Sequence, residues 1–176
     1  LFKNNVDSAG NSFGCHENYL ISRHMVLKDL GLALLPFLIT RQLICGAGMV
    51  QPAKGDKPAQ FLLSQRADQV WEGVSSATTR SRPIINTRDE PHAVHADFGR
   101  LHVIIGDANM SQTSTLLKLG MTSLVLDAIE EGVDFSDLRL QDAVAEVPRV
   151  SRDLRLQHRL TLADARQLTA LELLAE

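Results

Sequence analysis

Apolar residues recur at helical spacing along two long stretches of the chain. The first runs from residue 26 to 45 and predicts a helix that Pro36 kinks or divides in two. The second runs from residue 111 to 131, with Ser111 as a plausible N-cap and Gly132 as the glycine that closes the helix. These two stretches are predicted to supply the main helical layer of the fold.

Shorter segments show the alternation or the β-branched runs typical of strands, bounded by turn residues. The predicted strands are residues 2–5, 14–22, 60–66, 83–87, 100–106 and 156–162. Segments 46–58 and 75–82 are predicted to be surface connections, and short helices are predicted near 136–145 and at the end of the chain. Strands come first and helices dominate later, which favours an α+β fold with an antiparallel sheet as one layer.

The residues at both ends indicate that the sequence is an internal piece of a longer protein. There is no initiating methionine, and an apolar stripe of leucines between Leu168 and Leu174 stops at Glu176 without a helix-ending residue. A helix with an apolar face needs a partner to bury it, so we expect further chain beyond this point. A frayed terminal helix is the alternative.

Composition excludes several classes of protein. The 176 residues are 44% hydrophobic and 22% charged, which argues against disorder, and the net charge of −3 argues against sequence-independent nucleic-acid binding. Two cysteines cannot form a disulfide framework, and the most apolar run, 30–44, is too short for a membrane span. We therefore expect a cytoplasmic protein with neither a nucleic acid nor a membrane as partner.

The first candidate site lies in the predicted strand 14–22. Residues two apart on a strand share a face, so His16 and Asn18 point one way while Cys15 and Glu17 point the other. This geometry excludes a Cys15–His16 dyad. It leaves an imidazole and a carboxamide together, suited to a metal ligand and a ligand contact. A structural hydrogen-bonded pair is the alternative interpretation.

A second pair repeats this spacing on another predicted strand. Arg100 and His102 flank Leu101, and a guanidinium beside an imidazole suits a phosphate oxygen held next to a metal ion. A salt bridge at the strand edge is the alternative. The spacing does not establish that the two pairs face each other.

Two further arginines are candidates for binding a phosphate or a carboxylate. Arg66 ends one predicted strand, and its alternative role is a simple ion pair with Asp68. Arg88 shares a strand face with Asn86, and a local ion-pair network with the acidic residues that follow it is the alternative. The sequence contains no phosphate-binding loop, no G-x-S-x-G elbow and no H-E-x-x-H motif.

Distinctive runs of residues occur along nearly the whole chain. They are the segments L-F-K-N-N-x-D-S-A-G-N-S, G-C-H-E-N-Y-L, T-R-Q-L-I-C-G-A-G, S-Q-R-A, W-E-G-V-S-S-A-T-T-R, R-D-E-P-H-A and R-L-H-V-I with G-D. These runs resemble the Pup–protein ligase (proteasome accessory factor A) family, within the Pup ligase/Pup deamidase group related to glutamine synthetase.

The resemblance implies a glutamine-synthetase-like antiparallel sheet cradle backed by helices. It also implies an ATP-dependent ligase that uses Mg²⁺. Such an enzyme phosphorylates the C-terminal glutamate of the small protein Pup and joins it by an isopeptide bond to lysines of target proteins, which marks them for the proteasome. The alternatives are a Pup deamidase/depupylase, or a non-catalytic homologue that binds Pup or nucleotide.

The resemblance also assigns roles to the candidate residues. His16 and His102 resemble metal ligands, and Asn18 and Arg100 resemble ATP contacts. Arg66 and Arg88 resemble arginines that bind phosphate or the Pup glutamate. Residues 1–176 would be the central and C-terminal part of the large catalytic domain. Family members carry metal-binding glutamates and the catalytic aspartate in an N-terminal segment outside this sequence, and a small domain follows at the C-terminus, so we expect these 176 residues alone to be inactive.

Overall fold

The computed structural model describes residues 3–76, 82–88 and 94–176. The strands are β1 (Glu17–Ser22), β2 (Met49–Gln51), β3 (Gln60–Leu62), β4 (Glu72–Ser75), β5 (Pro83–Asn86), β6 (Phe98–Val103), β7 (Arg159–Thr161) and β8 (Gln167–Thr169). The α-helices are α1 (Leu27–Thr40), α2 (Gln42–Cys45), α3 (Gln112–Glu130), α4 (Ala143–Arg152) and α5 (Ala170–Ala175). The fold class is therefore α+β, as predicted.

Within the described residues, the main sheet has four strands in the order β1-β6-β5-β4. The β1–β6 and β5–β6 pairs are antiparallel, whereas β4 and β5 run parallel. Two small antiparallel hairpins, β2–β3 and β7–β8, lie outside this sheet. The sheet is thus mainly antiparallel, with a parallel pair at one edge.

One face of the sheet packs against α1. Leu30, Leu34 and Leu38 recur at helical spacing and are at most 1% exposed. They join a core cluster that includes Ile85 of β5 and Leu101 of β6. Burial of each of these side chains stabilises the fold by about 1.5–3 kcal/mol, which fixes the sheet on its helical layer.

The predicted long helices are present, but the first one divides at a different residue. Pro36 lies inside α1, and the break falls at Arg41, between α1 and α2. The second helix matches its prediction, because Ser111 accepts a bond from the Ser114 backbone N–H and Gly132 follows with a φ of 91°. The break at Arg41 sends its guanidinium to a carboxylate of β1, described below.

Several predicted boundaries are wrong. Residues 3–5 form no strand, and the first two residues of that prediction lie outside the described residues. The helix predicted near 136–145 is a 3-10 turn at Ser136–Leu138 followed by α4 from Ala143 to Arg152. Strand β2 falls within 46–58, where only a surface connection is predicted. Sequence patterning misses these short elements because tertiary contacts decide them.

Candidate active site

Two imidazoles meet at one end of the β1–β6 pair. His16 immediately precedes β1 and His102 lies on β6, and the distance from His16 Nδ1 to His102 Nε2 is 2.7 Å. Their ring centroids are 5.0 Å apart and the rings are tilted by 32°. The antiparallel register brings this about, because Asn18 lies directly opposite His102 and His16, two residues earlier on the same face, is the diagonal neighbour of His102.

Both imidazoles are held in the neutral form. Burial, followed by the charges of His16 and Arg100, lowers the pKa of His102 to about 4. Burial and the charge of Arg66 lower the pKa of His16 as well. Neutral imidazoles keep a nitrogen lone pair for a metal ion or a hydrogen bond at physiological pH.

A polar row crosses the sheet at the level of His102. Asn18 of β1 and Asn86 of β5 are its direct partners on either side. Directly opposed residues place their side chains on the same face, so the predicted contact residue Asn18 shares a face with the candidate metal ligand. The Asn86 side chain accepts a hydrogen bond from the backbone N–H of Arg88 at 2.9 Å, which ties the residues after β5 to this row.

Arg100 connects the row to the segment after β5. Its Nη2 donates to the backbone carbonyl of Arg88 at 3.4 Å, while its buried Nε has no hydrogen-bond partner. Arg88 itself is exposed. The acidic residues 89 and 90 proposed as its alternative partners lie outside the described residues.

Arg66 approaches the imidazoles from the other side. It is only 3% exposed, and its Nη1 donates to the Ser12 hydroxyl at 2.6 Å and to the Phe13 carbonyl at 3.4 Å. Its Nε is buried without a partner. The predicted alternative, an ion pair with Asp68, is wrong, because Asp68 makes a two-pronged pair with Arg152 of α4.

An aspartate that sequence analysis did not single out organises the loop carrying Arg66. The Asp107 carboxylate is 3% exposed and accepts bonds from the backbone N–H groups of Ala47, Gln65 and Arg66 and from the Ser64 hydroxyl. Burial raises the pKa of Asp107, and these hydrogen bonds counteract that rise. The resemblance included the Gly106-Asp107 pair, which was the only signal for it in the sequence.

A buried ion pair lies behind the imidazoles, on the opposite face of β1. Arg41 donates to both carboxylate oxygens of Glu17 at 2.9 and 2.6 Å, and to the Thr122 hydroxyl at 2.6 Å. The Tyr19 hydroxyl donates to the same carboxylate at 2.6 Å. This network joins β1, α1 and α3 beneath the site, and it fixes the residue that follows His16.

The six predicted site residues therefore occupy one region of the molecule. Electrostatic and hydrogen-bond contacts connect Arg66 to His16, His16 to His102, and His102 to Arg100. Asn18 lies opposite His102 in the sheet, and the backbone carbonyl of Arg88 accepts a bond from Arg100. In the described parts of the chain, neither Arg66 nor Arg100 has a carboxylate within ion-pair distance. Arg66 is buried and Arg100 is partly exposed, and a guanidinium without an ion-pair partner beside a neutral imidazole is suited to an anionic ligand.

The donor set provides only part of a metal site. Among the described residues, no group of three or more histidine, cysteine, aspartate or glutamate side chains can hold a metal ion. Two nitrogens bound to one ion, each at about 2.0–2.1 Å, lie about 3 Å apart or more, so the imidazoles would have to separate by a few tenths of an ångström.

Among the helices of the described residues, none combines the length and apolarity needed to span a membrane.

The comparisons with known proteins agree with this description. The sequence model of the Pup-ligase protein family matches residues 1–176. A Pup–protein ligase of Corynebacterium aurimucosum is 61% identical over 171 residues, covering 97% of this chain and 36% of the relative. That of Mycolicibacterium vanbaalenii is 58% identical over 176 residues, covering 100% of this chain and 38% of the relative.

Two solved structures have the same fold. The Pup ligase PafA in complex with ADP superimposes with a TM-score of 0.86 at 57% identity, over 98% of this chain and 38% of that one. A complex between Pup and its ligase PafA gives 0.85 at 52% identity, over 98% and 34%. This chain spans little more than a third of the length of the curated relatives it matches.

The sheet and its helical backing define part of a glutamine-synthetase-like fold. The chain belongs to the Pup-ligase protein family.

Proposed function

We propose that this chain is the central and C-terminal part of the large catalytic domain of an ATP-dependent Pup–protein ligase. The family match over residues 1–176 and the identity of 57–61% to curated Pup–protein ligases support this proposal. The relatives are more than twice as long, which supports a further N-terminal segment and a small C-terminal domain in the complete protein. We expect the catalytic base and the metal-binding carboxylates to lie in that N-terminal segment. We also propose a cytoplasmic location, where ATP is available to the reaction.

The observation that carries the proposal is a cluster of cations beside two neutral imidazoles. Arg66 and Arg100 each bury an Nε that has no partner, and neither guanidinium forms an ion pair with a carboxylate of the described residues. The reaction brings two kinds of anion to one place, the phosphates of ATP and the carboxylate of the Pup glutamate. Guanidinium groups bind both, because their fork of N–H donors matches paired oxygens.

The proposed reaction has two steps. The glutamate carboxylate oxygen forms a bond to the γ-phosphorus of ATP while ADP leaves, which gives an acyl phosphate. A target lysine amine then attacks the acyl carbon, phosphate leaves with the bonding electrons, and the base takes the amine proton. In these steps Arg100 and Asn18 orient the nucleotide, and Arg66 and Arg88 hold the transferred phosphoryl group or the glutamate carboxylate.

We propose that His16 and His102 face the Mg²⁺ ion that accompanies ATP. Mg²⁺ prefers oxygen ligands, so the imidazoles would complete a shell supplied by phosphates and by carboxylates of the longer protein. When bound, the ion shields the phosphate charge during phosphoryl transfer. The lowered pKa of each histidine leaves one nitrogen of each ring unprotonated for this role.

The test uses the full-length protein with ATP, Mg²⁺, Pup and a lysine-bearing protein. We expect isopeptide formation in the wild type, and a loss of Mg²⁺–ATP affinity of about tenfold or more in His16→Asn and His102→Asn. His24→Asn, a substitution of an exposed histidine next to β1, is the control and should bind normally.

The alternatives give different outcomes in the same assay. A depupylase would release Pup from conjugates without forming them, and a non-catalytic homologue would bind nucleotide or Pup without turnover. Unchanged nucleotide affinity and unchanged activity in both histidine variants would defeat the metal assignment.

A further inference from the structure

The Asp107 carboxylate binds the backbone of the loop that precedes Arg66 from inside the protein. Its Oδ1 accepts from the Ser64 hydroxyl at 2.9 Å and from the Arg66 backbone N–H at 3.2 Å. Its Oδ2 accepts from the Gln65 backbone N–H at 3.0 Å and from that of Ala47 at 2.8 Å. One buried side chain therefore fixes three consecutive residues of this loop.

Asp107 is itself held from two sides. The Lys118 ammonium of α3 donates to its backbone carbonyl at 2.7 Å, and Lys118 is only 5% exposed. The side chain of Asn5, which is 1% exposed, accepts from the backbone N–H of Ala108 at 2.7 Å. The carboxylate thus has a fixed position relative to the helix layer behind the sheet.

The Asp107 carboxylate binds the backbone N–H of Arg66 and makes no direct ion pair with its guanidinium. The guanidinium turns instead toward the Ser12 hydroxyl, 2.6 Å from Nη1, and its Nε keeps an unused donor. A direct ion pair would occupy the N–H donors of the guanidinium, whereas a backbone anchor fixes the residue and leaves those donors for a ligand. The Nη1 contacts lie on Ser12 and Phe13, which shortly precede His16 in the chain, so the guanidinium lies next to the segment that carries this imidazole.

We propose that Asp107 is a positioning residue that aims Arg66 at the anionic substrate. This inference rests on the proposed function, because it takes the anion to be a nucleotide phosphate or the glutamate carboxylate of Pup. Asp107 touches neither and acts through Arg66.

Only a carboxylate fits the four donors around Asp107. Its two oxygens offer about four lone-pair sites and no hydrogen, so they accept all four bonds. An asparagine keeps the shape but replaces one oxygen by an NH₂ group, which would face donors such as the Gln65 and Ala47 backbone N–H groups. Asp107→Asn therefore loses the bonds to one of the two oxygens and weakens the anchor without creating a cavity.

The experiment is a double-mutant cycle on the full-length protein, read by calorimetric binding of ADP with Mg²⁺ and of Pup. We expect Asp107→Asn to weaken binding of at least one of these ligands about tenfold, and Arg66→Met to weaken the same ligand at least as much. In the Arg66→Met background, Asp107→Asn should change that affinity less than about twofold, because its effect passes through the arginine.

Thermal stability separates positioning from a merely structural role. Asp107→Asn should lower the melting temperature by a similar amount in the wild-type and the Arg66→Met backgrounds. Its effect on ligand affinity, in contrast, should disappear in the Arg66→Met background. Glu146→Gln is the matched control, since Glu146 is a 5% exposed carboxylate on α4 bonded to Arg149 and His158. It should lower stability and leave both affinities unchanged.

An equal loss of affinity from Asp107→Asn in both backgrounds would overturn the inference, as would unchanged binding of both ligands in the wild-type background. If Asp107→Asn does not fold, Ser64→Ala decides. It removes one donor to Oδ1 and the hydroxyl that accepts from the Arg66 backbone N–H at 3.1 Å, and its loss of affinity should also vanish in the Arg66→Met background. Isopeptide formation is scored separately, so a wild type that binds ADP and Pup but makes no conjugate counts against the proposed function alone.

Discussion

His16 and His102 are 86 residues apart in the chain, yet their imidazole nitrogens lie 2.7 Å from each other. Neither ring is near a carboxylate cluster in the described residues. A pair of neutral imidazoles is a borderline-soft donor set, which Zn²⁺ accepts more readily than Mg²⁺ does. The pair therefore predicts a metal preference that can be measured without substrates.

We expect the 176-residue chain to bind Zn²⁺ more tightly than Mg²⁺, and each of His16→Asn and His102→Asn to weaken Zn²⁺ binding by about tenfold or more. Isothermal titration calorimetry with each metal alone measures both effects. His24→Asn is the control. Equal Zn²⁺ affinity in the wild type and both site variants would show that the imidazoles do not act together on an ion.

The Glu17–Arg41 ion pair predicts a large loss of stability on substitution. Both side chains are 3% exposed, so Arg41→Met leaves a buried carboxylate whose charge is uncompensated. We expect the free energy of unfolding to fall by about 3–5 kcal/mol, measured by urea denaturation. The double variant Glu17→Gln with Arg41→Met should be more stable than Arg41→Met alone.

A surface pair provides the comparison. The side chains of Arg166 and Asp164 are 50% and 48% exposed in their ion pair, so Arg166→Met should cost no more than about 1 kcal/mol. A cost for Arg41→Met as small as this would mean that the buried carboxylate finds another partner or a proton.

Substitution by alanine is expected to have opposite effects on stability at two glycines. A Cβ at Gly106 would collide with the Glu17 carboxylate and lie 3.3 Å from Arg41 Nη2, whereas a Cβ at Gly120 of α3 would meet nothing within 4 Å. We expect Gly106→Ala to destabilise the fold by about 1–3 kcal/mol because it displaces the buried pair. Gly120→Ala should stabilise it by about 0.5–1 kcal/mol through helix propensity. Thermal or chemical denaturation measures both, and a neutral Gly106→Ala would contradict the close packing.

The partly buried hydroxyl of Tyr19 is expected to make the folded state less stable at alkaline pH. Burial and the neighbouring Glu17 charge raise its pKa to about 12, from 10 in the unfolded chain. The folded state therefore holds the phenolic proton more tightly, so its stability is unaffected below pH 10 and falls as the pH rises from 10 toward 12. The loss should stay below about 2 kcal/mol, because Tyr19 is only partly buried and solvent screens its interactions.

The chain contains a single tyrosine, so the near-ultraviolet absorbance of the phenolate reports this residue alone. Its titration midpoint should be higher in buffer than in concentrated urea, and Tyr19→Phe should remove the signal. Equal midpoints in the two conditions would exclude the buried contact with Glu17.

The local pattern predicts well those features that depend on neighbours in sequence. The capped helix α3 and the alternation around His16 and around His102 follow from spacing and from turn or capping residues. The pairing of Asp68 with Arg152, 84 residues away, could not be predicted from local pattern. Until the packing of α4 is known, Arg66, which is close to Asp68 in the sequence, is an equally reasonable partner. The break at Arg41 is missed for the same reason, since Glu17 attracts that guanidinium from another element.

The two long helices, the two residue pairs His16–Asn18 and Arg100–His102 with their chemistry, and the family resemblance were encoded in the sequence itself. Only the tertiary structure decided that the two imidazoles touch, that a buried aspartate holds the loop of Arg66, and that one sheet pair runs parallel. The reason is physical: side-chain periodicity is a local property of the backbone, whereas register and ion pairing depend on which surfaces the whole chain buries together.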